Sequence, residues 1–115
     1  MKTIIDVAEK IQNPSALTQE QGDLIYEEIA NSFDKGNVVT LDFTNVESMI
    51  SPFLNNAIGQ LYGRFNSEYI KQHLELKSFP PAKNSTLNIV INNAKNFYAN
   101  RNSFSKTAKD VLNID

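Results

Sequence analysis

The chain has 115 residues, of which 41% are hydrophobic and 21% charged, and its formal net charge is −2. This length and hydrophobic content predict one domain with one core, and they argue against intrinsic disorder. The slightly negative charge argues against a dedicated nucleic-acid binder, which usually carries a basic face. With no cysteine and one histidine, the chain cannot form disulfides, and we expect no metal site.

We do not expect the N-terminal residues to form a secretion signal. They carry Asp6 and Glu9 and no long apolar region, unlike a signal peptide. Elsewhere no apolar run approaches the ~20 residues that a membrane-spanning helix needs. We therefore expect a cytoplasmic protein with neither a membrane nor a nucleic-acid partner.

The first half of the chain predicts a strand, a helix and a second strand. Residues 3–7 are short and β-branched, which is typical of an opening strand. Thr18 and Gln21 have the spacing of a capping box, and an apolar stripe then predicts a helix over residues 19–34. After a glycine turn, the apolar run at 38–43 predicts a central strand covered on both faces.

The second half predicts a loop, several helices and an edge strand. Ser51 is the predicted N-cap, and Pro52 the first helical residue, of a helix that ends near Phe65. The remaining predicted elements are a short helix at 68–72, a half-exposed strand at 73–77, a helix at 86–98, a break at 100–102 and a weakly amphipathic helix at 103–112.

This order predicts an α/β fold with a mixed sheet of three or four strands and helices packed on it. We expect residues 1–115 to form a single domain. Its core spans about residues 3–98, and residues 99–115 form a C-terminal tail or short helix.

Ser51 is the leading candidate for a functional residue. A hydroxyl at a helix N-terminus, just beyond a strand, can be phosphorylated or can bind an anion or a partner's side chain. The structural alternative is a simple helix cap, worth about 1 kcal/mol. The two roles are compatible, and both stay open at this point.

Other candidate chemistry is sparse. Asp42 and Glu47 are two carboxylates near a strand end, where they could bind a cation or act as acid and base, but no lysine, histidine or glycine-rich loop adjoins them. His73 is predicted to be exposed and non-catalytic. The four glycines are isolated and form no phosphate-binding loop. We therefore expect no enzyme activity, no cofactor and no metal.

Residues 36–65 carry a family resemblance. The glycine turn, the strand VVTLDF, the loop NVESMISPF and the helix after it resemble the centre of STAS domains, the fold of anti-sigma-factor antagonists. The resemblance is closest to the divergent STAS-like branch classed as a domain of unknown function, and it extends over about residues 17–98. It implies a STAS-like fold.

The same resemblance implies a site. In antagonists of this family a D-S-[ST]-G-like motif opens the helix, and a partner kinase phosphorylates its serine. Ser51 takes that position here, while Ile50, Pro52 and Phe53 replace the other motif residues. The implied partner is a GHKL-type ATPase or kinase, or a sensor protein. The residues implied to contact it are Asn45, Glu47, Ser48, Ser51, Asn55, Asn56 and Gly59.

The leading hypothesis is therefore a non-catalytic, regulatory protein-interaction module that docks a partner around Ser51 under the control of phosphorylation. The alternative is a small ligand- or nucleotide-binding domain that uses the helix N-terminus at Ser51 as an anion site. A hydrolase built on Asp42 and Glu47, and a DNA-binding protein, are further alternatives. The oligomeric state stays open, although a flat edge at residues 74–76 would permit strand pairing between copies.

Overall fold

The computed structural model describes residues 1–112, and the side chains of residues 1–99. The strands are β1 (Lys2–Asp6), β2 (Ser15–Ala16), β3 (Val38–Asp42), β4 (Ser48–Met49) and β5 (Leu74–Lys77). The helices are α1 (Val7–Ile11), α2 (Gln19–Asp34), α3 (Ser51–Ala57), α4 (Ser67–His73) and α5 (Asn84–Leu112), with 3₁₀ turns at Gly59–Gly63 and Pro81–Lys83.

Most predicted elements are confirmed. The capping box is present, since the Thr18 hydroxyl accepts from the Gln21 N–H at 3.0 Å and the Gln21 side chain accepts from the Thr18 N–H at 3.0 Å. The helix then runs over residues 19–34 as predicted. The predicted break at 100–102 is wrong, because α5 continues through it to Leu112. The end of the predicted tail, residues 113–115, lies outside the described residues.

The main sheet has three strands in the order β1-β3-β5, with parallel pairing throughout. The α/β class is confirmed, and the strand number lies within the predicted range, but the sheet is parallel rather than mixed. A helical crossover joins each strand to the next one in this sheet, and such a connection returns the chain in the same direction. A separate parallel ribbon, β2-β4, was not predicted.

The helices lie on one face of the sheet. Ile5, Val39 and Leu41 point to that face and are at most 5% exposed. On the other face the Lys2 amine lies 3.0 Å from the Glu75 carboxylate, across the buried Thr40. The central strand is buried on both faces as predicted, since Val39, Thr40 and Leu41 are all buried, but no helix among residues 1–112 covers the charged face. The ion pair between Lys2 and Glu75, rather than a second layer of helices, covers Thr40 on this face.

The core lies between the sheet and the helices α2, α3 and α5. Its largest fully buried side chains include Phe33, Phe43, Phe53, Ile25, Leu54 and Leu61. At Gly22 the helix α2 crosses α3 closely, since a Cβ atom there would lie 2.6 Å from the Phe53 carbonyl oxygen. This crossing fixes the position of α3, the helix that carries Ser51.

Candidate interaction surface around Ser51

The β2-β4 ribbon holds the loop that leads to Ser51. Ser48 and Met49 pair with Ser15 and Ala16, and the Ile50 N–H donates to the Ala16 carbonyl at 3.2 Å. These bonds keep the backbone extended as far as Ile50 (φ −128°, ψ 167°). The loop is therefore anchored to the segment that precedes α2.

Ser51 is not the N-cap of α3, and the prediction that it caps the helix is wrong. The N-cap is Ile50, whose side chain makes no capping hydrogen bond, and Ser51 is the first helical residue. The helix begins one residue earlier than the sequence suggested, because the last bond of the ribbon, from the Ile50 N–H to the Ala16 carbonyl, makes Ile50 the last extended residue. The Ser51 side chain is exposed, and its hydroxyl is not used to cap the helix.

The helix that follows is shorter than predicted. It ends at Ala57, and the backbone continues as the 3₁₀ turn Gly59–Gly63 instead of an α-helix to Phe65. Two glycines sit where α5 comes close: a Cβ at Gly59 would lie 3.6 Å from Val90, and one at Gly63 would overlap the Tyr98 ring. The tight turn thus accommodates the packing of α5.

Two of the seven residues predicted to contact a partner, Asn56 and Gly59, are less exposed than the other five. The Asn56 amide donates to the Asp23 carboxylate at 3.0 Å, which ties α3 to α2. Gly59 is buried beside α5 and lines one of the two grooves of this surface. The five that are exposed are Asn45, Glu47, Ser48, Ser51 and Asn55.

Two grooves adjoin these exposed residues, one beside the loop before α3 and one beside α3 itself. The first has a volume of about 400 Å³ and runs between Glu47, Ser48 and Ile50 on one side and Pro80, Ala82 and Lys83 on the other. The second has a volume of about 340 Å³ and is lined by Asn55, Gly59, Gln60, Asn93, Phe97 and Tyr98. Ser51 lines neither groove.

Sequence patterns missed one exposed apolar residue on the wall of each groove. Phe97 lies on the predicted apolar stripe of α5, which predicts a core position, yet it is 59% exposed. Ile50 is 41% exposed at the rim of the first groove. The sequence carried no signal for this exposure, because the apolar stripe alone does not show where the core ends along a long helix.

The remaining candidate groups have structural roles. The backbone N–H and hydroxyl of Thr44 both donate to Asp42, and these bonds, with the nearby Lys77 amine, hold the pKa of that carboxyl below its usual value of 3.8. The ring of His73 stacks on Tyr69 with 3.9 Å between centroids, and its Nδ1 lies 2.9 Å from the Tyr69 carbonyl. His73 is thus half-buried in α4, not exposed on a strand.

No group of three or more histidine, aspartate or glutamate side chains suited to a metal ion occurs among the described residues. Glu47 is exposed on the wall of the first groove. In the part of the chain that the structure describes, no helix is long and apolar enough to cross a membrane.

The architecture is that of a small α/β domain with a STAS-like fold. Residues 21–82 match the family model of the STAS-like domain of unknown function (DUF4325). The match covers more than half of the chain, which therefore belongs to this family. It extends from the capping residue Gln21 to the 3₁₀ turn after β5, and so it includes the whole Ser51 loop. Comparisons with curated proteins and with solved structures gave no match.

Proposed function

We propose that this STAS-like domain is a non-catalytic, regulatory protein-interaction module of the cytoplasm. It docks a protein partner on the exposed residues around Ser51, and phosphorylation of Ser51 controls the docking. The observation that carries the proposal is the exposed Ser51 hydroxyl, which the helix does not use as a cap, beside the exposed Ile50 and Asn55. Family resemblance points to a GHKL-type ATPase or kinase, or a sensor, as the partner.

The composition and the rigidity of this surface support protein docking. Ile50 contributes apolar area, and the Glu47, Ser51 and Asn55 side chains contribute polar groups around it, which is the usual division between the centre and rim of an interface. The β2-β4 ribbon holds the loop that leads to Ser51 in place, and the α2–α3 crossing holds the helix α3. A preorganised surface of this kind loses little conformational entropy when it binds.

Phosphorylation would act on the partner's affinity rather than on the fold. A phosphate at Ser51 adds about −1.5 to −2 charges. It would lie in the first turn of α3, where the helix dipole favours negative charge. The charge would therefore attract or repel a partner while the exposed position leaves the core packing unchanged.

The test is affinity capture from native lysate with four baits: wild type, Ser51→Asp, Asn55→Arg and the control Lys71→Glu, which changes an exposed residue of α4. Mass spectrometry identifies the captured proteins, and the intact mass of the bait reports phosphate. We expect one partner to be held by wild type and Lys71→Glu and lost or exchanged by the other two. Calorimetry with the purified partner should then show at least a tenfold loss of affinity for Asn55→Arg.

An identical set of captured proteins for all four baits, with no phosphate on Ser51, would contradict the proposal. A melting temperature that rises with nucleotide concentration, in the absence of any partner, would instead favour the small-ligand alternative. Melting curves of the four baits establish that each is folded before its binding is compared.

A further inference from the structure

The outer edge of β1 is unpaired in the part of the chain that the structure describes. The strand pairs with β3 on one side, and the Val38 N–H donates to the Met1 carbonyl at 2.9 Å. Successive residues of a strand direct their N–H and C=O groups to alternate sides. Because Met1 faces β3, so do Thr3 and Ile5, and the amide groups of Lys2, Ile4 and Asp6 face outwards.

This edge is accessible. A groove of about 450 Å³ runs along β1, with residues of α1 and Glu28 of α2 on its other side. Ile4, at the middle of the strand, is 67% exposed. Its side chain lies on the uncovered face of the sheet, between those of Lys2 and Asp6. An apolar residue in the middle of a free edge is the arrangement that permits pairing with another strand.

We infer that β1 pairs antiparallel with β1 of a second copy of this chain, around a twofold axis at Ile4. In this register Ile4 lies opposite Ile4 of the other copy, and Lys2 lies opposite Asp6. All three outward-facing residues then form hydrogen-bonded pairs, in which both N–H groups find carbonyl partners. The two three-stranded sheets would join into one of six strands.

The pattern of side chains favours a second copy over an unrelated strand. The order cation, apolar residue, anion in Lys2, Ile4 and Asp6 is complementary to itself when reversed, and opposite charges on facing residues stabilise a strand pair. A shift of two residues would place Lys2 opposite Ile4 and leave Asp6 without a strand partner. A twofold axis also requires such self-complementarity, because both copies present the same surface.

Charge pairing across the axis would set the register more than the affinity. The Lys2 amine already lies 3.0 Å from Glu75, and the Asp6 carboxylate accepts from the Glu9 N–H and the Asn45 amide. Both charged side chains therefore already have partners within one copy, and in a dimer they would divide their interactions between those partners and the second copy. With five residues per strand, the interface is small, and we expect a reversible dimer that depends on concentration.

The other edge, β5, is a poorer candidate. It has four residues, and Ser78 follows it with φ +57°, which turns the chain away. Leu76 is only 37% exposed. Short strands that end in a turn are one way in which proteins protect a sheet edge from pairing. Leu76 therefore supplies the matched control position for a test at Ile4.

The test uses engineered thiols, because the chain has no cysteine. Across a hydrogen-bonded antiparallel pair the Cα atoms are about 5.5 Å apart, which suits a disulfide. Ile4→Cys should therefore form a disulfide dimer under mild oxidation at least tenfold faster than Leu76→Cys. A mixture of Lys2→Cys and Asp6→Cys should cross-link faster than either alone, because the two copies of Lys2 would lie ~14 Å apart.

Equilibrium sedimentation tests the same inference without cross-links. Wild type should dimerise with increasing concentration, and Ile4→Pro should remain monomeric at the same concentrations. Proline removes an N–H that faces outwards and leaves the β1-β3 bonds in place. If Ile4→Pro fails to fold, Ile4→Lys, which places like charges at the axis, takes its place. Equal cross-linking rates at Ile4 and Leu76, or a monomeric wild type at all concentrations, would overturn the inference.

Discussion

The substitution Gly22→Ala tests whether the crossing of α2 and α3 determines the stability of this domain. A Cβ atom at this position would lie 2.6 Å from the Phe53 carbonyl oxygen, 2.8 Å from the Asn56 Cβ and 3.0 Å from the Ala57 nitrogen. Two of these three atoms belong to the backbone of α3 and cannot rotate away. The whole helix must therefore move, together with its buried side chains.

The magnitude follows from the distances. Carbon atoms in contact are usually about 3.5–4.0 Å apart, so the Asn56 Cβ at 2.8 Å must shift by roughly 0.7 Å or more. Overpacking that moves backbone costs about 1–3 kcal/mol, and we take the upper end. Alanine returns about 1 kcal/mol through its higher helix propensity. The net loss is about 2 kcal/mol, which lowers the melting temperature by roughly 10 °C.

Thermal and urea unfolding, followed by circular dichroism, measure this loss. The control is Asn31→Ala, at an exposed position of the same helix, which gains helix propensity without a steric cost and should be as stable as wild type or slightly more so. If Gly22→Ala were as stable as Asn31→Ala, the close approach of the two helices would not be a constraint, and the account of how α3 is positioned would be refuted.

Three further predictions concern polar contacts. Hydrogen bonds from Thr44 lower the pKa of Asp42 below its ordinary value of 3.8, so the carboxylate stabilises the fold at pH values above that pKa. The difference in melting temperature between wild type and Asp42→Asn should therefore become smaller as the pH falls from about 5 to about 2. The substitution Asp23→Ala removes the acceptor of Asn56 and Gln60 and should cost about 1 kcal/mol in urea unfolding, with a smaller loss for Asp23→Asn, which keeps an acceptor oxygen. Gln21→Ala should cost about 1 kcal/mol and also increase amide hydrogen exchange at Ser48 and Ile50, whereas Lys71→Glu should leave exchange there unchanged.

Local signals in the sequence were sufficient for the elements that depend on neighbouring residues. The Thr18 and Gln21 spacing predicted the start of α2 correctly, because a capping box is formed by residues three positions apart. The glycine turn at Gly36 has φ +78°, which is the conformation that such a turn requires. The order of strands and helices, and with it the fold class, followed from these local patterns.

Contacts between distant segments were not predictable in the same way. The β2-β4 ribbon has two residues per strand and joins Ser15 to Ser48, and no local periodicity marks so short a pairing. The same omission led to the error at Ser51, since the ribbon ends with the Ile50 N–H bonded to Ala16 and the helix starts directly after it, one residue earlier than predicted. Likewise, Phe97 follows the helical period of α5, but its exposure depends on where α5 leaves the core, which periodicity does not encode.

The loop that carries Ser51 depends on a helix cap that lies thirty residues before it in the chain. The Gln21 side chain accepts from the N–H groups of Leu17 and Thr18 and donates to the Ser15 carbonyl at 3.2 Å. Ser15 pairs with Ser48, and the ribbon ends at Ile50, one residue before Ser51. One glutamine thus fixes the start of α2 and the strand against which the loop is held. Loss of this side chain should increase the mobility of the Ser51 loop by more than the loss of global stability alone would, because hydrogen bonds connect Gln21 to the loop through Ser15.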